Sequence, residues 1–88
     1  MTLRVAVQMD PIERINIASD TTFLLMMAAQ ARGHALWVYE PKHLSMENGR
    51  VSARARKVTL RDTKGDHVTA GEPTVLDLEN DLDVILMR

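Results

Sequence analysis

Apolar positions change their period along this chain, and the changes mark its elements. "LRVAVQM", residues 3–9, is short, valine-rich and almost continuously apolar, the pattern of a strand covered on both faces. "TTFLLMMAAQAR", residues 21–32, has the length and composition of a helix. Ser19 or Asp20 stands where an N-cap accepts a hydrogen bond from a first-turn N–H, and Gly33 stands where a left-handed residue ends a helix. "ALWVYE", residues 35–40, is a second strand, so strand, helix and strand imply a right-handed crossover onto a parallel sheet. Phe23, Leu24, Met27, Ala28 and Ala31 share one broad helix face, with Leu25, Met26 and Ala29 largely outside it. That is more apolar surface than one-sided packing buries, and it predicts a second cover from a subunit partner or another domain.

Pro41 ends the second strand, "KHLS" reads as a short turn of helix, and Asn48-Gly49 as a tight turn. "RVSARARKVTLRD", residues 50–62, alternates, with Val51, Ala53 and Ala55 opposite Ser52, Arg54 and Arg56. Val58 and Leu60 are even-numbered, and this change of phase predicts a bulge or a bend at Lys57. "DTKGD" then turns into "HVTA", a hairpin partner. "GEPTVLDLENDL" reads as a connection with one 3₁₀ turn, and "DVILM" as a buried strand. The fold class is α/β: a mainly parallel sheet with a β-hairpin insertion. The last strand runs into Arg88 with no covering helix after it, so the chain is expected to be the front part of a longer protein.

One connection resists a bland reading. "QMDPIERINIASDTT", residues 8–22, joins the first strand to the helix, where about 2–6 residues are usual. It is longer, lacks glycine, and carries Met9, Ile12, Ile15 and Ile17 among its polar residues. Ligands of open α/β sheets bind outside the carboxyl ends of the parallel strands. Residues 9–20 and Arg88 occupy those ends, which makes Asp10, Asn16, Asp20 and Arg88 candidates for a polar cleft wall. Each also has a structural role open to it: Asp10-Pro11 as a turn, Asn16 as a backbone binder, Asp20 as a cap, Arg88 as a surface charge. Neither G-x-G-x-x-G nor G-K-[ST] occurs in the loop, so no backbone phosphate cradle is written there, which argues against a dinucleotide-dependent function.

Composition removes further classes. Hydrophobic residues make up 45%, enough for a core, and six methionines do the filling that scarce aromatics (3%) would otherwise do. With no cysteine, disulfides, thiolate metal sites and Cys nucleophiles are excluded, which fits a reducing compartment. A formal net charge of -1 exerts no overall pull on nucleic acid or anionic membrane. Neither a spanning segment nor a signal-peptide pattern is present, so the expectation is a cytoplasmic protein without membrane or nucleic-acid partners. His34, His43 and His67 lack zinc-site spacing, no catalytic triad can be assigned, and Arg54 and Arg56 fit the solvated side of a strand. Catalytic, cofactor-binding and metal residues are therefore all assigned as none.

The order of motifs says more than their periodicity. "QMDPIERINIASDTTF", followed by "AQARGH", "NGRVSARAR", "KGDH", "GEP" and "LDVILMR", resembles the opening of the bacterial glutathione synthetases across essentially the whole chain. The resemblance implies that residues 1–88 are the Rossmann-like (pre-ATP-grasp), substrate-side N-terminal domain of an ATP-grasp ligase. Such an enzyme joins γ-glutamylcysteine to glycine with ATP and Mg²⁺ through an acyl phosphate. It implies that the central and C-terminal domains, which hold ATP and Mg²⁺, are absent here, and that the fragment alone takes no cofactor and is inactive. It implies that Asp10, Pro11, Ile12, Ile15, Asn16 and Asp20 form one wall of the dipeptide cleft, with Arg88 at its edge pairing a carboxylate. It also implies a homo-oligomer. The competing class is a stand-alone, non-catalytic α/β interaction module that uses the Leu25, Met26 and Ala29 surface.

Overall fold

A computed structural model describes residues 2–63 and 66–87. Arg88 and the middle of the "DTKGD" turn lie outside the described residues. Seven strands and one helix follow in chain order: β1 (Arg4–Gln8), α1 (Thr21–Ala31), β2 (Ala35–Tyr39), β3 (Leu44–Glu47), β4 (Arg50–Leu60), β5 (Val68–Ala70), β6 (Thr74–Asp77) and β7 (Val84–Met87). Short 3₁₀ turns occupy Ile12–Arg14 and Pro41–His43. No helix among the described residues is long and apolar enough to cross a membrane.

The sheet order is β3-β4-β2-β1-β7, with β5 and β6 also paired to β4. β1 is parallel to β2 and to β7, whereas β2, β3, β5 and β6 all pair antiparallel with β4. The α/β class is as expected, but the antiparallel share is larger than the sequence suggested. β3 and β6 account for the difference. "LSME" is exposed throughout and "TVLD" no more than half-buried, so neither shows the apolar alternation that reveals a strand. They exist because β4 is long enough to lend its backbone to two partners on each side. The hairpin between β3 and β4 turns at Asn48 (φ 51) and Gly49 (φ 78), the pair of positive dihedrals that a two-residue turn of this hand needs.

The expected bulge at Lys57 is not in β4. Lys57 pairs regularly with Trp37, and its Nζ lies 5.7 Å from the centre of that ring. Val58 pairs with Ala70 and Ala55 with Thr74, so residues 56–57 face residues 71–73, and the extra residue belongs to the partner. Burial changes phase because the two ends of β4 are covered on opposite faces. Val58 and Leu60 pack with Val5, Val7, Leu36, Val38, Phe23 and Met26 under the helix. Ala53 and Ala55 pack with Ala6, Tyr39 and Leu82 on the other face, where burial pushes the Tyr39 hydroxyl above its usual pKa. β1 is buried on both faces, as its pattern predicted.

Helix α1 ends as the sequence indicated and faces differently. Asp20 is the cap, accepting from the Phe23 N–H at 3.1 Å. At the other end Gly33 (φ +83) lets its own N–H reach Gln30 O at 2.9 Å and the His34 N–H reach Ala29 O at 3.1 Å, the paired bonds of a Schellman stop. The inward residues are Phe23, Met26, Met27 and Gln30; Leu24 and Leu25 are 62% and 57% exposed. Met26, placed outside the buried face by the sequence, is fully buried, and Ala28 and Leu24, placed on it, are exposed. What decides the rotation is a polar residue. Gln30 donates to Leu60 O at 2.9 Å and accepts from Leu60 N–H at 2.7 Å, replacing the ladder bonds that β2 starts too late to supply.

The strand "DVILM" is also corrected. β7 stands at the sheet edge, with Met87 73% exposed and Ile85 37%; only Leu86 packs against the core. β1 is its only strand partner among the described residues, so its backbone is satisfied on one side.

Candidate functional site

The long β1–α1 loop is held by its apolar residues. Met9 (3% exposed) and Ile12 (1%) enter the core under α1, and Ile15 and Ile17 pack against it. Polar bonds shape what remains. The Met9 N–H donates to Tyr39 O at 3.0 Å, and the Arg14 N–H to Pro11 O at 3.0 Å within the 3₁₀ turn. Asn16 Oδ1 accepts from the Ala18 N–H at 3.1 Å while Asn16 O accepts from the Ser19 N–H, so this residue bends the chain toward the Asp20 cap.

These constraints leave a cleft of about 800 Å³ at the carboxyl end of β1. Of the residues singled out in the sequence, Asp10, Pro11, Ile15, Asn16 and Asp20 line it. Ile12 does not. It is the buried residue beneath the loop, because a 3₁₀ turn that starts there points its side chain into the core. Arg88 lies outside the described residues. Arg14, Ser19, Thr21 and Thr22 also line the cleft. Sequence reasoning passed over them, although Arg14 was visible as the lone cation of "PIERINI" and the two threonines as the residues after the cap.

The wall carries both charges. Neither the Asp10 carboxylate nor the Arg14 guanidinium makes a side-chain hydrogen bond or ion pair among the described residues, and both are exposed. Asn16 has its amide N–H₂ to offer once Oδ1 is engaged, and Thr21 and Thr22 open a helix whose first-turn N–H groups favour a carboxylate. Across the loop a second cleft, of about 690 Å³, reaches β2 and β4. Arg56 meets Glu13 at 2.7 Å and Lys42 meets Glu40 at 3.7 Å there, and Asp10 and Arg14 border this cleft as well. Asp10 and Arg14 therefore border both clefts, and the first adds Asn16 and the start of α1 to them.

Known proteins can now be set beside this geometry. Residues 3–88 match the family described as prokaryotic glutathione synthetase, N-terminal domain. The chain is 57% identical over 88 residues to a glutathione synthetase of Brucella melitensis biotype 1, and 51% identical to one of Rhodopseudomonas palustris. A glutathione synthetase of Xanthomonas campestris pv. campestris is 42% identical. Each alignment covers 100% of this chain and 28% of the relative, so the chain spans less than a third of the length of the curated relatives it matches.

Proposed function

The chain belongs to the prokaryotic glutathione synthetase family as its N-terminal domain, and from that premise we propose that its β1–α1 cleft receives γ-glutamylcysteine in an ATP-dependent ligase. One observation carries the reading: a cleft wall with a carboxylate and a guanidinium that have no side-chain partner among the described residues, built from the residues of the "MDPIERIN" motif. The γ-glutamyl end of the dipeptide bears an α-ammonium and an α-carboxylate. Asp10 pairs with the first; Arg14 and the start of α1 face the second, and Asn16 donates from its amide. Pro11 and Ile15 supply apolar walls, while Asp20 holds the helix start in place. The role proposed for Arg88 is to pair a second carboxylate of the dipeptide in two parallel hydrogen bonds.

The described residues do not suit ATP or Mg²⁺. The loop after β1 has no glycine to bring backbone N–H groups onto phosphates, and no group of three His, Asp or Glu side chains among the described residues could hold a metal ion. In this reading both are held by the remaining domains of the parent enzyme, with further subunits as its other partners. This domain's part is to bind and orient the dipeptide so that its cysteinyl carboxylate is activated and then attacked by the glycine amine.

The test is ligase activity. The full-length protein that contains this chain should form glutathione from ATP, γ-glutamylcysteine and glycine, and Arg88→Lys should weaken dipeptide use. The 88-residue chain alone should form none; glutathione made by it, or a full-length protein inert toward the dipeptide, contradicts the proposal. The second outcome would favour a stand-alone interaction module, for which the exposed Leu24 and Leu25 of α1 are the supporting observation.

A further inference from the structure

We propose that His67, fifty-five residues away along the chain from Ile12, is a positioning residue for the dipeptide cleft; the substrate in this statement rests on the function proposed above. The cleft wall is irregular backbone, and fixing such backbone carries a cost in conformational entropy at every residue. Its two ends are secured by the Met9–Tyr39 backbone bond and by the Asp20 cap. Between them the 3₁₀ turn that carries Arg14 is closed by the Arg14 N–H bond to Pro11 O and a long Ile15 N–H bond, 3.5 Å, to Ile12 O, with the Glu13 side chain held from β4 by Arg56 at 2.7 Å.

His67 strengthens that point. The residue is 6% exposed, and Nε2 lies 2.6 Å from Ile12 O, the carbonyl that also accepts from the Ile15 N–H. A carbonyl oxygen only accepts, so Nε2 carries the proton. The ring also meets Phe23 edge-on, with centroids 5.7 Å apart and planes at 79°. Phe23 belongs to the first turn of α1, directly after Thr22. One imidazole therefore braces both halves of the wall: the turn that carries Arg14, and the helix start that carries Thr21 and Thr22. His67 is itself anchored, since its carbonyl accepts from the Arg61 N–H at 2.8 Å at the end of β4. Phenylalanine could fill the same space and meet Phe23. Only a side chain with a hydrogen-bond donor can hold the Ile12 carbonyl.

Two substitutions separate these roles in the full-length protein. His67→Phe keeps the ring and removes the donor, and should raise KM for γ-glutamylcysteine about tenfold, the scale of one buried hydrogen bond, with KM for ATP within about twofold of wild type. His67→Gln keeps an N–H donor and should recover most of the dipeptide KM. Amide hydrogen exchange should quicken in residues 10–19 of His67→Phe while residues 24–31 of α1 stay protected. Should His67→Phe fail to fold, His67→Met takes its place as a donor-free filler of similar size. An unchanged dipeptide KM in the donor-free variant, or a KM raised equally by His67→Gln, overturns the inference, as does unchanged exchange in the loop. The exchange result does not depend on which substrate binds. If wild type ignores the dipeptide yet the loop loosens in His67→Phe, the proposed function falls and the positioning role stands.

Discussion

Asp20 shows how one carboxylate can fix the backbone beside a cleft. Its side chain is buried and caps α1, as one of the roles open to it in the sequence required, and it borders the cleft. Asp20→Ala should cost about 0.5–2 kcal/mol of stability in urea unfolding, and Asp20→Asn much less. Asp83 makes a different prediction. It accepts from the Arg4 N–H at 2.7 Å, and that bond, aided by the Arg4 guanidinium, holds its carboxyl below the usual carboxylate pKa. A folded-state value below the unfolded one means stability that is present above the usual carboxylate range and lost as pH falls through the folded value. Asp77, lowered first by its bond from the Asn80 side chain, acts with the same sign. Unfolding followed from about pH 5 to about pH 2 should therefore lose less stability in Asp83→Asn than in wild type. Arg14 was the residue least legible beforehand, because a single exposed cation in a loop carries no pattern until neighbouring side chains converge on it.

Element by element, the chain shows which signals survive folding. The limits of α1 were legible because Asp20 and Gly33 act locally, through the backbone they terminate. Its orientation was not, because with apolar residues all round the deciding contact is Gln30 on Leu60, thirty residues apart in sequence. Met26→Ala should cost about 2–5 kcal/mol and Leu25→Ala no more than about 0.5, a contrast that chemical denaturation reads directly. Gln30→Leu would leave both Leu60 backbone groups unpaired and should cost about 1–3 kcal/mol. β4 was legible from its alternation, but the change of phase that suggested a bulge or a bend at Lys57 follows burial on opposite faces, and the extra residue there lies on the partner side. The strand is regular, and what alternates is the face on which the core lies.

Over the whole molecule, the sheet divides labour between its two parts. Parallel strands β2, β1 and β7 bring their carboxyl ends to one side, where the long loop builds its cleft, while β4 and its antiparallel partners brace that loop from behind through Arg56 on Glu13 and the β5 side through His67 on Ile12. The place of the cleft was legible from strand order and loop length. Which loop residues face outward was legible only in part, since Ile12 and Ile15 look alike in sequence and the 3₁₀ turn separates them. In the function proposed, this domain reads γ-glutamylcysteine and leaves ATP to the rest of the enzyme. Steady-state kinetics of Asp10→Asn in the full-length protein test it most directly. KM for γ-glutamylcysteine should rise about tenfold or more, as expected for losing a hydrogen bond to a charged group, with KM for ATP unchanged within about twofold. An unaltered dipeptide KM, or an equal rise for ATP, would contradict it.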